Sequence, residues 1–284
     1  MTNQILNVLI EGYDENVALE LERNVDQYDK DWETVYSARQ NQTILQAEIT
    51  GIEEKTIRSD SPKITCAVVM VGQVKGLIPL EYFGVEDKNH LLSYTGKKVA
   101  FKVIGLDAEA GVFIGSRKAA IEHMANVTWA KLEKGKEVIA VVRRVGRNRL
   151  IVDIGGIEAK INVADYDYGW IEDLREHVKV GQHLKVKVTE LDKEKKIVKV
   201  SRKETLANPW LTVRNRFEEG NQYVGTVSGV VNFGNYVNLA PGIDSLAPHM
   251  RFQTLSRGDK VLIRIKKIHD KEEKIDAKII RKIN

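Results

Sequence analysis

One plan recurs three times along this 284-residue chain, and a repeat of that length constrains the fold more than any single motif does. Residues 219–284 run EGNQYVGTVSGVVNFGNYVNLAPGIDSLAPHM and then LSRGDKVLIRIKKIHDKEEKIDAKIIRK. Residues 134–203 run KGKEVIAVVRRVGRNRLIVDIGGIEAKINVADY and then VKVGQHLKVKVTELDKEKKIVKVSRK. Each reads as strand, turn, strand, short link and strand, followed by an irregular piece and two more strands joined by a charged hairpin, DKEEK or DKEKK. Residues 42–118 fit a looser third copy through QAEITGIEE, ITCAVVMVGQVKGLIPL and YTGKKVAFKVIGLDAEAGVFIGSRK. Five short strands per copy, closely punctuated, predict a small barrel, because closure removes the open edges of so small a sheet.

The connectors complete the organisation. Residues 119–133 and 204–218 both read as helical linkers, the second around a turn at Asn208–Pro209. In residues 1–41, Val17, Leu21, Val25, Tyr28, Trp32 and Val35 recur at three- and four-residue intervals, an amphipathic helix whose expected role is to pack on the first barrel. A docking or dimerising helix is the alternative.

Charge separates this leader from the rest. Residues 1–41 carry nine acidic and three basic side chains, and the remaining chain carries 41 basic against 31 acidic. A basic body suits a polyanion, and the acidic leader is expected to stay off it. One cysteine, Cys66, rules out an internal disulfide and suggests a reducing compartment. The opening MTNQILNVLIEGYDEN lacks a basic n-region, and no run approaches the ~18 apolar residues of a membrane span, so a soluble cytoplasmic protein is expected.

The residues VGTVSGVVNFGNYVNL, GIDSLAPHM, SRGDKV and IHDKEEKI of the third copy, KGLIPL in the first and the linker NPW resemble the S1 RNA-binding domain, an OB-type barrel. The resemblance covers roughly residues 42–284. It implies a mainly β chain: three tandem five-stranded OB-type barrels preceded by the N-terminal amphipathic α-helix. It also implies that Phe233 and Tyr236 stack on unpaired bases. Strict alternation would send residues three apart to opposite faces, so a bulge at Gly234 is expected to bring the rings together, with Val237 and Leu239 inward and Asn232, Asn235 and Asn238 around them. Pro248 stands where the family often has a histidine, and His249 follows it. The family's aspartate and its basic partner fall on Asp270 and Lys274, on Asp192 and Lys196, and on Asp107 and Gly111 in the first copy, which lacks the cation.

The second copy has Asn148 and Ile151 at the ring positions but gathers Arg143, Arg144, Arg147 and Arg149 at one turn, a candidate phosphate contact. In the first copy the ring positions fall near Ile64 and Ala67, and the loop EEKTIRSDSPK is nearly neutral, so that barrel is expected to space the others, dock a partner or receive the helix.

Catalytic and metal patterns are missing from the sequence. Its six histidines show no HExxH or ligand spacing, and no phosphate-cradling glycine loop occurs. DYDYGW, residues 165–170, offers Asp165 and Asp167 without a third carboxylate nearby and reads as a surface loop contacting RNA or protein. No cofactor and no metal are expected. Two functional readings remain. In the first, barrels 2 and 3 bind single-stranded RNA through rings and charge, with single-stranded DNA left open because nothing visible reads a 2′-hydroxyl. In the second, the chain is an adaptor docking on the ribosome, RNA polymerase or another assembly through its N-terminal helix or first barrel.

Overall fold

Alternating apolar residues bounded by glycine and charged turns form fifteen strands among the described residues, in three successive groups of five. The computed structural model describes residues 15–55 and 63–283, with side chains in the N-terminal helix from residue 27 onward. The helical stripe at Val17, Leu21 and Val25 and most of the loop before Lys63 therefore lie outside the described side chains. Compact packing divides the chain between Met124 and Ala125 into two units.

The first unit opens with α1 (Glu15–Gln40), followed by β1 (Ile44–Lys55), β2 (Ile64–Val71) and β3 (Val74–Pro79). Two short helices, α2 (Leu80–Phe83) and α3 (Lys88–Leu92), lead to β4 (Lys98–Asp107) and β5 (Val112–Ser116). The strands close in the order β1-β2-β3-β5-β4 through a parallel β3–β5 pair. Trp32, Val35 and Ala38 of α1 enter the same apolar core as Ile49, Val69, Phe101 and Phe113. Trp32 and Val35 of the expected stripe are thus spent on the helix's own barrel, whereas Tyr28 of the same stripe is exposed.

The second unit takes in the later part of α4 (Arg117–Lys131), then β6 (Glu137–Val145), β7 (Arg149–Asp153), β8 (Glu158–Asn162), β9 (His183–Asp192) and β10 (Ile197–Ser201). After a short helix α5 (Val213–Arg216) come β11 (Gln222–Val231), β12 (Gly234–Ala240), β13 (Ile243–Ala247), β14 (Lys260–His269) and β15 (Lys274–Ile283). The last five close as β11-β12-β13-β15-β14, again by a parallel pair. The middle five keep the order β10-β9-β6-β7-β8. No ladder joins β8 to β10 among the described residues. Side chains fill that gap, since Ala159, Ile161 and Val200 are buried in one cluster with Leu150, Val152 and Val186.

Two devices repeat in all three barrels. The first strand carries a bulge, at Thr50, Arg143 and Ser228, where the register against the second strand slips by one. Such a bulge bends and twists the strand as a tight barrel requires. The turn between the second and third strands holds a left-handed glycine, Gly72 (φ 57°), Gly155 (φ 82°) or Gly242 (φ 74°). A Cβ at each would run into the segment preceding that barrel: Asp31, Thr128 and Pro209 respectively. Each of those residues directly precedes a tryptophan, Trp32, Trp129 or Trp210, that packs on the core of the barrel it introduces. Asp31 Oδ2 accepts Gln73 N at 2.8 Å, and Thr128 Oγ1 donates to Gly155 O at 2.7 Å. Helix or linker, tryptophan and barrel make one repeated module.

Candidate nucleic-acid interface

The rings of VVNFGNYVNL come together, by a route different from the expected one. Gly234 is not bulged; it opens β12 opposite Val231. The bulge lies across the ladder at Ser228, which leaves Gly229 paired with Tyr236. Phe233 sits in the two-residue turn before β12, outside the alternation that was expected to control it. It is 66% exposed, and its ring meets Tyr236 edge to face with centroids 6.4 Å apart. Gly234 is needed for another reason: a Cβ there would lie 2.5 Å from Ala247 O.

The asparagines do not surround the rings as a polar rim. Asn235 is buried, and its Oδ1 has no hydrogen-bond partner. Asn238 is half-buried and donates through Nδ2 to Ala240 O at 2.9 Å. Val237 is fully buried as expected, and Leu239 packs against the core edge.

Tyr236 is not a free platform. Trp170, from the segment after β8, lies flat on it with ring centroids 5.0 Å apart and 19° between planes. Gly229 permits this approach, because a side chain there would overlap the indole. The DYDYGW segment is therefore the seam between the second and third barrels, and the sequence reading missed Trp170 as a ring-site residue. Trp170 N donates to Asp244 Oδ2 at 2.7 Å, and Ser228 Oγ donates to Asp244 Oδ1 at 2.8 Å. Burial pushes the Asp244 carboxyl above its ordinary value, and these donors oppose the rise. Arg202 pairs with Asp167 at 2.9 Å and lies over the Tyr166 ring. Lys203 lies over Tyr168 and pairs with Glu273 at 2.7 Å. Asn208 Nδ2 also donates to Glu273, at 3.1 Å.

A cleft of about 720 Å³ opens along this seam, lined by Tyr168, Trp170, Trp210, Tyr236 and Lys274 among others. Its carboxylates (Asp167, Asp244, Glu272, Glu273 and Asp276) outnumber its lysines, Lys203 and Lys274. Such a lining suits base rings and edges better than phosphates.

The remaining expected residues fall in three places. His249 is exposed and donates from Nε2 to Val231 O at 2.9 Å, which ties the loop after β13 to the turn carrying Phe233. Asp270 is engaged by the Arg214 guanidinium, Nε to Oδ1 at 3.0 Å and Nη2 to Oδ2 at 2.7 Å, which holds its carboxyl below the ordinary value. Its observed role is to brace the linker. Lys274 is exposed, with Glu272 at 3.8 Å.

The correspondence of Lys196 with Lys274 needs correction. Ile197 pairs with Asp192, whereas Lys274 pairs with His269. Lys196 (φ 52°) therefore occupies the left-handed turn position of Glu273 (φ 52°). In the first barrel that position belongs to Gly111 (φ 66°).

At the arginine turn, Arg143 makes two hydrogen bonds to Asp153, the shorter at 2.7 Å; Arg144 meets Glu158 at 2.9 Å and Arg147 meets Glu172 at 3.2 Å. Arg149 has no ion-pair partner among the described residues. These pairs are exposed, and exposed pairs contribute ~0–1 kcal/mol, so an incoming phosphate can exchange with the carboxylates. Leu174 N donates to Arg147 O at 2.9 Å, which sets the arginine turn beside the segment that delivers Trp170.

In the first barrel, pairing sets Val68 opposite Gly51 and Thr65 opposite Glu54. Val68 is thus the counterpart of Tyr236, one residue from the expected Ala67, which faces the core. It belongs to a small apolar cluster with Cys66 and Leu77. Among the described residues no group of three or more His, Cys, Asp or Glu side chains is placed to hold a metal, and no helix is long and apolar enough to cross a membrane.

Residues 131–203, the second barrel and its approach, match the S1 RNA binding domain family. Over 277 residues the chain is 26% identical to the small ribosomal subunit protein bS1 homolog of Bacillus subtilis (strain 168), covering 92% of this chain and 69% of that protein. It is 26% identical over 265 residues to the small ribosomal subunit protein bS1 of Staphylococcus epidermidis, covering 88% of this chain and 64% of that one. A third relative carries an enzyme's name: 4-hydroxy-3-methylbut-2-enyl diphosphate reductase of Clostridium acetobutylicum, 28% identical over 243 residues. That match covers 76% of this chain and 38% of the reductase.

Proposed function

We propose that this chain, a protein of S1-like barrels whose middle barrel matches the S1 RNA binding domain family, binds single-stranded RNA without catalysing a reaction on it. The observation that carries the reading is the ring run Phe233–Tyr236–Trp170, exposed at its Phe233 end and built from two barrels. Every base has a π face, so stacking on such a run is tolerant of sequence and contributes ~1–3 kcal/mol per base. The arginine turn, next to the segment carrying Trp170, supplies exchangeable phosphate contacts, and Lys274 adds peripheral charge. His249 acts chiefly by positioning the Phe233 turn. Relatives named as ribosomal-subunit proteins support work on RNA in the cytoplasm.

The test is a titration of the full chain with unstructured RNA, the matched DNA and a duplex RNA at two salt concentrations. Tight, salt-sensitive binding of the unstructured strands and weak binding of the duplex are expected. Equal affinity for the duplex would overturn the reading. The adaptor reading keeps one supporting feature: the first barrel has Thr65 and Val68 where the third has its rings, which suits a spacer or a protein contact.

A further inference from the structure

Among the described residues, the most exposed large apolar side chain is outside the ring run described above. Phe252 is 99% exposed, in the loop between β13 and β14, and makes no ring contact with another described residue. The loop presenting it is nonetheless pinned on both sides. Upstream, His249 Nε2 is bonded to Val231 O at 2.9 Å, and Met250 packs on the core of the third barrel. Downstream, Leu255 is buried in that core. Between the anchors, residues 251–254 all face solvent. Arg251, next to the ring, has no carboxylate partner among the described residues, unlike most of the arginines at the turn after β6.

We infer that Phe252 and Arg251 form an additional RNA-contact point, a stacking ring with a phosphate-binding cation beside it, extending the track beyond Phe233. This rests on the RNA-binding reading and deepens it. The His249 tether bounds the distance: Phe252 is three residues from His249, and Phe233 is two from Val231. Five residues at ~3.3–3.6 Å each, with the imidazole, its hydrogen bond and the two ring side chains, keep the rings within about 35 Å of each other. An OB-type barrel engages ~4–16 nucleotides, so a strand leaving Phe233 reaches Phe252 within one site. A free ring beside a free cation matches the two chemistries of a nucleotide, a base to stack and a phosphate to neutralise.

The test compares Phe252→Ala, Phe252→Trp and Phe233→Ala in the full chain, with a short oligouridylate as probe and thermal unfolding as control. Phe252→Ala is expected to melt with the wild type and bind about 5- to 150-fold more weakly, the range for one lost stack. Phe252→Trp is expected to retain affinity, its indole emission changing as RNA binds. Arg251→Ser is expected to lower the slope of log affinity against log salt by ~0.7. Wild-type affinity in Phe252→Ala, with Phe233→Ala weakened, would overturn this inference alone and leave Phe252 to a protein partner. Wild-type affinity in both variants would overturn the ring-stacking site beneath it, and failure of the wild-type chain to bind the oligouridylate would overturn the RNA-binding reading itself.

Discussion

Trp170 and Tyr236 stack face to face at 5.0 Å although they belong to different barrels. One face of Tyr236 is therefore committed to the seam, and Phe233 is the ring left open to solvent. Phe233→Ala is expected to change stability by no more than ~0.5 kcal/mol, as at most surface positions. Its RNA affinity should fall by ~1–3 kcal/mol. Tyr236→Ala and Trp170→Ala should lower both affinity and stability, since an aromatic pair adds ~0.5–1.5 kcal/mol beyond the area it buries. Chemical denaturation and RNA titration on the three variants separate the roles. A destabilised Phe233→Ala would contradict the exposure seen.

The arginine turn has a graded expectation. Arg143, Arg144 and Arg147 hold carboxylates, so replacing any one with serine also frees an anion nearby. Arg149 holds none. If these side chains meet phosphates, Arg149→Ser should flatten the salt dependence by ~0.7 in log–log slope, one phosphate's share on a single strand, with little change in melting temperature. The fourfold serine variant should flatten it further.

Asp173 provides a pH readout. Hydrogen bonds from the Arg175 guanidinium and backbone N–H hold its carboxyl down, at about 2 against an ordinary 3.8. A depressed carboxylate stabilises the folded state above its unfolded value, and that contribution is lost as pH falls from about 3.8 toward about 2. Carboxyl carbon shifts followed by NMR should show this low midpoint. In Arg175→Ala the midpoint should move up toward the ordinary range.

Asp31 tests the seat under the first barrel. It is buried in contact with the Gly72 turn and accepts Gln73 N at 2.8 Å. Asp31→Ala removes a hydrogen bond to a charged carboxylate, at a cost of ~1.5–3 kcal/mol. Calorimetry should show the first unit melting earlier while the transition of the other two barrels stays in place.

Three five-stranded units and the helix were legible because alternation and glycine turns are local signals repeated along the chain, whereas the order in which the strands pair was not. The ring pair was legible as a pair, but its mechanism was not. Gly234 drew attention because it sits between the rings, whereas the bulge is at Ser228 on the partner strand, a register effect visible only once both strands are paired. Trp170 was hidden for a similar reason: its stacking partner comes from the next barrel. The four-residue Asp–Lys offset matched in two copies yet concealed a one-residue shift of the hairpin, which φ at Lys196 and Glu273 reveals. The arginines read as a bare cationic cluster because Glu158 and Glu172 reach them from neighbouring segments.

The tryptophan that opens each module bears on how such a chain is made. The seat for each hairpin glycine is translated before the barrel that rests on it: Asp31–Trp32 before Gly72, Thr128–Trp129 before Gly155, Pro209–Trp210 before Gly242. Domains fold as units during synthesis, the N-terminal one first. Each barrel here finds its foundation already emerged, and no barrel waits for a later one to supply it. Gene segments cut upstream of the seat residue that precedes each tryptophan would therefore carry a self-sufficient unit, whereas cuts at the first strand would separate a barrel from its footing.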